Sequence, residues 1–153
     1  MEIKCYVGNC TQLDTAVQFL NSIAADFPIP LDQKTDIRKL VEKVYQYGYI
    51  IFAEAEHDIV GINMIYANDQ VDRCAWITVL GVDKEYRRYG VAGRLIGCCE
   101  KIAKENSMTG IALFVHSENI GAVKMYQKYG FRENKDIEAK EDKYITLYKL
   151  LEN

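Results

Sequence analysis

Proline is nearly absent from this 153-residue chain: Pro28 and Pro30 are the only two, so the remaining sequence is free to run in regular elements. Ten glycines and no serine-rich or repeated tract exclude collagen-like and low-complexity classes. No apolar run approaches the ~20 residues that a membrane-spanning helix needs, and the opening MEIKCYVGNC lacks the roughly 7–15-residue apolar stretch of a secretory signal. The expectation is a cytoplasmic protein without membrane contact. A basic excess is missing too. Nineteen Lys and Arg against 22 Asp and Glu leave a net charge of -3, which argues against a nucleic-acid partner. The cysteines Cys5, Cys10, Cys74, Cys98 and Cys99 contain no C-x-x-C pair and have no histidine at zinc-ligand spacing, so no metal is expected. They read as small apolar side chains, with a redox role for Cys98 and Cys99 as the alternative.

Apolar residues make up 49% of the chain and charged residues 27%. Folding at this length removes about 68–70% of the unfolded surface from water, enough for a core without staples. One domain over residues 1–153 is expected. Ile3 to Val7 reads as a strand. Leu13, Val17, Leu20, Ala24 and Phe27 then recur at helical spacing behind a Thr11 and Asp14 capping signal, until the prolines break the run. A second helix is predicted over about 32–47, capped by Asp32, with Ile37, Leu40, Val41 and Val44 on its apolar face and Gly48 as its stop. Extended runs at 49–56, 59–68 and 74–82, divided by short polar turns, predict an antiparallel meander. A helix over 90–106, a buried strand over 111–115 and a helix over 117–129 closed by Gly130 imply a parallel crossover. Two final strands flank a charged hairpin. The order is β-α-α-β-β-β-α-β-α-β-β, an α+β fold whose seven-stranded sheet is mixed and mostly antiparallel, with four helices.

The chemistry concentrates in WITVLGVDKEYRRYGVAGRLI, residues 76–96. A strand ends, Lys84, Arg87 and Arg88 crowd a turn, and Gly90, Ala92 and Gly93 open a helix. Helix starts leave backbone N–H groups unpaired and carry a partial positive charge, and small residues let a ligand reach them, so this turn suits a phosphate or pyrophosphate. The alternative is that the small residues serve helix packing and the arginines are solvated. Neither G-x-G-x-x-G nor G-x-x-x-x-G-K-[ST] is present, which removes support for those two nucleotide-binding classes.

At these residues the sequence resembles the GNAT (Gcn5-related N-acetyltransferase) superfamily. Arg87-Arg88-Tyr89-Gly90-Val91-Ala92 matches its acetyl-coenzyme A motif, Q/R-x-x-G-x-G/A, directly after a strand ending Gly81-Val82. Downstream, Leu113-Phe114-Val115, Asn119, Ala122, Tyr126 and Gly130-Phe131 follow its second signature. The resemblance runs closely from about residue 48 to 131. It implies the acyl-CoA N-acyltransferase fold, acetyl-CoA as co-substrate and transfer of acetyl to an amine. It further implies that backbone groups of Leu80, Gly81 and Val82 pair with the pantetheine arm and point one N–H at the thioester carbonyl. The amides from Arg88 through Tyr89, Gly90, Val91 and Ala92 to Gly93, with the Arg87 and Arg88 side chains, are implied to hold the pyrophosphate. Asn119 is implied to bond the pantetheine, and Tyr126 to act as general acid. A phenol, with a reference pKa near 10 against about 8.5 for a thiol, suits that task. The residue-level alternatives are a packed aromatic for Tyr126 and a helix cap for Asn119.

A base for the attacking amine is harder to find. Where several relatives carry one, this chain has Trp76, Thr78 or Phe114. Glu54, Glu56, Asp26, Asp32 and His116 are candidates, alongside a water relay or an amine that arrives neutral. The resemblance implies an acceptor pocket built from residues 27–31 and 135–143. A small-molecule amine or amino sugar is expected as acceptor, with a protein N-terminus or lysine as an alternative. A non-catalytic acetyl-CoA sensor is the reading from another class. Monomer and homodimer both remain open.

Overall fold

The computed structural model describes residues 1–152. Its strands are β1 (Ile3–Val7), β2 (Tyr49–Ala55), β3 (Asp58–Tyr66), β4 (Cys74–Val82), β5 (Gly110–His116), β6 (Arg132–Glu133) and β7 (Tyr144–Leu150). The helices are α1 (Leu13–Ile23), α2 (Leu31–Lys34), α3 (Ile37–Tyr47), α4 (Val91–Glu105) and α5 (Ile120–Lys128). One sheet runs in the order β1-β2-β3-β4-β5-β7-β6, and every pairing is antiparallel except β4 with β5. This is the expected α+β architecture with its meander and parallel crossover. Four helices exceed one turn or two, and the four-residue α2 is additional.

That extra helix arises because the predicted 32–47 helix is interrupted. Thr35 is extended (φ -155, ψ 159), and Asp36 rather than Asp32 caps α3, its Oδ1 accepting the Lys39 N–H at 3.1 Å. At the other end of the region, Asn9 and Gln12 form the reciprocal cap on the turn that leads into α1, a role the sequence assigned to Thr11 and Asp14. Asn119 Oδ1 accepts the Ala122 N–H, so α5 begins at Ile120.

Two cores lie on the two faces of the sheet. In β2, Ile50 and Phe52 join α1 and α3 on one side, while Ile51, Ala53 and Ala55 join α4 on the other. A fully buried strand is apolar on both faces, which is why YIIFAEA reads as a near-continuous apolar run. The cysteines are free thiols; Cys74 and Cys99 are buried and Cys10 is exposed. Burial pushes Cys5 and Cys74 up to about 11 and Cys99 up to about 12, which keeps these thiols neutral and poorly nucleophilic. Among the described residues no helix is long and apolar enough to cross a membrane, and no three potential metal ligands are gathered together.

Gly48 closes α3 and turns the chain straight into β2. A Cβ there would overlap the Ile65 carbonyl oxygen and come within 2.9 Å of the Tyr66 ring. The obstacle is backbone, so the sheet itself must shift. Gly48→Ala should cost about 1–3 kcal/mol, lowering the thermal midpoint by roughly 3–10 °C in a calorimetric or circular-dichroism melt.

Candidate active site

Only four residue pairs, Cys74–Gly110 through Ile77–Leu113, join β4 to β5. Beyond Ile77, β4 stays with β3 as far as Val82, while β5 stays with β7 as far as His116. The parting begins at a bulge: Met64 pairs with Val79 and Ile65 with Ile77, leaving Thr78 as the extra residue. The bulge also switches the facing of the strand. Ile77 is buried on the α4 side and Val79, two residues on, is buried on the α1–α3 side. Leu80 to Val82 therefore present a backbone edge with no strand partner on the β5 side.

This edge, the start of α4 and the start of α5 enclose a cleft of about 390 Å³, lined by Gly81, Val82, Ala92, Asn119 and Gly121 among others. Gly90 opens α4 in the left-handed region (φ 74), and no side chain caps the first-turn amides of Val91, Ala92 and Gly93. A Cβ on Gly90 would meet nothing within 4 Å, so backbone conformation rather than space calls for glycine there. Gly93 differs: a Cβ would lie 2.5 Å from the Tyr129 hydroxyl, which gives this glycine a packing reason between α4 and α5. Arg87 is already engaged. Its Nη2 donates to Asp26 Oδ2 at 3.0 Å and its Nε to the Val82 carbonyl at 3.2 Å, tying the end of α1 to the end of β4. Arg88 and Tyr89 are exposed on the same turn.

A smaller hollow of about 140 Å³ is shared by Leu80, Asn119 and Ala122 with the first and extends to Tyr126, Thr78, His116 and Tyr144. Tyr126 is 5% exposed, and its ring meets Phe131 edge-on at 5.4 Å. Burial, with a smaller contribution from nearby Cys99, pushes its phenol well above the ordinary value. Packing and lining coincide in this residue. Asn119 likewise does both tasks: Oδ1 caps α5 while the side chain lines both hollows.

The candidate bases separate cleanly. Glu54 lies opposite Lys4 on the β1 side, Glu56 sits in the β2–β3 turn and Asp32 is exposed on α2; none lines these hollows. Asp26 reaches the cleft with its carboxylate held by Arg87. His116 lines the smaller hollow, but its Nδ1 accepts the Glu118 N–H at 3.1 Å. The neutral ring then carries its proton on Nε2, so it offers a donor where a base would need a lone pair. The rings of Trp76 and Phe114 meet at a tilt, with centroids 4.9 Å apart.

The sequence did not single out Lys34. Its Nζ donates to Tyr144 Oη at 2.7 Å, lies 4.2 Å from the centre of that ring and is 3.3 Å from Glu141 Oε2. Lys34 and Tyr144 stand 110 residues apart, and no local pattern announces such a contact. Together with Trp76 and Phe114 they line a third hollow of about 310 Å³.

The model of the acetyltransferase (GNAT) family matches residues 16–131. The chain belongs to this family. A GNAT-family acetyltransferase from Staphylococcus aureus Mu50 superposes with a TM-score of 0.81 at 25% identity, covering 99% of this chain and 100% of that one. An acetyltransferase from Bacillus anthracis str. Ames, solved in complex with acetyl coenzyme A, is 32% identical over 67% of this chain and 62% of its own, with a TM-score of 0.59. The probable spermine N(1)-acetyltransferase of Bacillus subtilis subsp. natto is 26% identical over 97 residues, 60% of this chain. The chain spans less than two thirds of the length of such curated relatives, 64% in that case.

The contact between Gly93 and Tyr129 makes a sign-changing prediction for this GNAT chain. Alanine is favoured over glycine in a helix by up to about 1 kcal/mol, whereas the collision with the Tyr129 ring opposes it. Gly93→Ala should destabilise by about 1–3 kcal/mol in the parent and become neutral or stabilising in a Tyr129→Ala background, as a denaturant-melt double-mutant cycle would show.

Proposed function

We propose that this GNAT chain is an N-acetyltransferase that moves acetyl from acetyl-coenzyme A to a primary amine of a small molecule by direct attack. The observation that carries the reading is the cleft itself: an unpaired strand edge at Leu80–Val82, an uncapped helix start at Gly90–Gly93 and a buried tyrosine at Tyr126 lie along two adjoining hollows that share Leu80, Asn119 and Ala122. The fit is good for a long, flat cofactor with an anionic end. Ala92 and Gly121 keep the walls low, and a Cβ on Gly121 would meet nothing within 4 Å.

The backbone of Leu80, Gly81 and Val82 would hold the pantetheine arm, with the Asn119 amide on its other side. The amides from Arg88 to Gly93 and the exposed Arg88 side chain would meet the pyrophosphate. Acetyl-coenzyme A, when bound, supplies an activated acyl carbon. A β4 N–H beside that carbon stabilises the charge that develops on its oxygen. Tyr126 keeps its proton because burial disfavours the phenolate; it would donate that proton to the departing sulfur, and the proton that the attacking nitrogen loses on becoming an amide would restore the phenol. Arg87 acts through position, fixing the end of β4 against Asp26. No lining carboxylate is free to serve as base, so the amine sheds its proton to water or arrives neutral.

Tyr126→Phe should lower kcat by roughly 10²- to 10⁴-fold with little change in acetyl-CoA affinity. The sign of the pH dependence follows from the raised phenol. Tyr126 stays protonated throughout the range below its ordinary value of 10.0, so kcat should show no descending limb owed to this group below about pH 10. An unchanged turnover in the variant would remove Tyr126 from the acid role, whereas a limb at about pH 8–9 that disappears with the hydroxyl would keep the role and overturn the raised phenol. Coenzyme A release across a panel of amines tests the activity as a whole.

A further inference from the structure

Resting on that reading, we infer that the acceptor is an α-amino acid with an apolar, planar side chain: a primary amine accompanied by a carboxylate, with Lys34 and Lys140 meeting the carboxylate and Trp76 and Phe114 meeting the ring. The outer hollow of about 310 Å³ and the small hollow beside Tyr126 share Lys34, Thr78, Phe114 and Tyr144. An acceptor seated in the outer hollow would therefore adjoin the hollow beside Tyr126 at these residues.

Charge decides the class. The two acceptor-side hollows are lined by two lysines and a single carboxylate, Glu141, whose Oε2 is already 3.3 Å from Lys34 Nζ. Among the described residues Lys140 has no carboxylate within 4.0 Å. A polycationic acceptor would find no unspent anion there and would face excess positive charge. An acceptor carboxylate finds the reverse. Lys34 is also held in place for it: the ammonium donates one N–H to Tyr144 Oη, lies over that ring and is ion-paired with Glu141, which leaves donor capacity for a further anion. Partial burial pulls the Lys34 ammonium towards neutrality, but the Tyr144 hydroxyl and Glu141 outweigh it and raise the group above its ordinary value, so it stays charged.

The rest of the wall is aromatic. Phe114 leaves 40% of its surface exposed and tilts at 50° against Trp76. Such a face in a hollow is matched by a flat apolar body and wasted on a hydrated chain of ammonium groups.

The experiment compares L-phenylalanine, L-phenylalanine amide, phenylethylamine and spermine as acceptors, with coenzyme A release as the readout. Trp76 is the chain's single tryptophan, so its fluorescence gives a second readout that needs no turnover: titration with N-acetyl-L-phenylalanine against N-acetylphenylethylamine, in the presence of coenzyme A. The expected result is a kcat/KM for L-phenylalanine at least tenfold above the amide and the decarboxylated amine. Lys34→Met should level the series, raising KM for the carboxylate acceptor roughly 10- to 100-fold, while Lys34→Arg keeps the preference. Spermine or phenylethylamine outperforming L-phenylalanine, or a preference that survives Lys34→Met in a protein with an unchanged melting curve, overturns the inference. If no amine releases coenzyme A yet the fluorescence titration still selects the carboxylate ligand through Lys34, the site stands and the transferase reading falls. If the titration shows no carboxylate preference, the inference falls whatever the activity.

Discussion

The seam between β4 and β5 governs the molecule. Parallel strands need a crossover, and the crossover here is α4, which follows β4 through the short turn at residues 83–90. Its first residues must therefore lie at the carboxyl end of β4. The same reasoning applies to α5 after β5. Because the two strands part at just that end, two helix starts, Gly90 and Asn119, come to face one opening. Ligand clefts in open sheets form where neighbouring strands diverge at their carboxyl ends, and Thr78 makes the divergence here by inserting one residue against β3.

The segment from Asp26 to Lys34 spans the opening. Asp26 ties it to Arg87 on the β4 half, and Lys34 ties it to Tyr144 on the β7 half. Between these ties stand both prolines of the chain, which restrict the backbone where it crosses open space. Exposed ion pairs add little stability, so the value of these contacts lies in location: one fixes the β4 side of the cleft and the other the β7 side.

Much of this was legible in the sequence, and the reasons are local. The meander, the helical faces of α1, α3 and α4 and the turn at Arg87–Ala92 each write their period or their motif within some twenty residues. The break at Thr35 was hidden because Asp32 and Asp36 are both credible caps, and only the packing of α2 against α1 separates them. The bulge at Thr78 was hidden for a different reason. Alternation in CAWITVLGV looks regular until its register against Met64 and Ile65 is known. Lys34 with Tyr144, and Gly93 with Tyr129, are tertiary facts with no local signature. His116 stood among the candidate bases, yet its tautomer depends on one backbone N–H two residues away.

The brevity of the seam has a mechanical side. β2 and β3 share seven paired positions and β5 and β7 another seven, whereas β4 and β5 share four. Only the two-pair β6–β7 edge is shorter, so within the body of the sheet the width across the cleft is resisted by the fewest cross-strand bonds. An extended molecule lying along Leu80–Val82 would act as the absent length of strand, bridging the two halves where their own hydrogen bonds stop. The fold is left with a gap in its backbone pairing that such a ligand would complete, stiffening the sheet across the cleft.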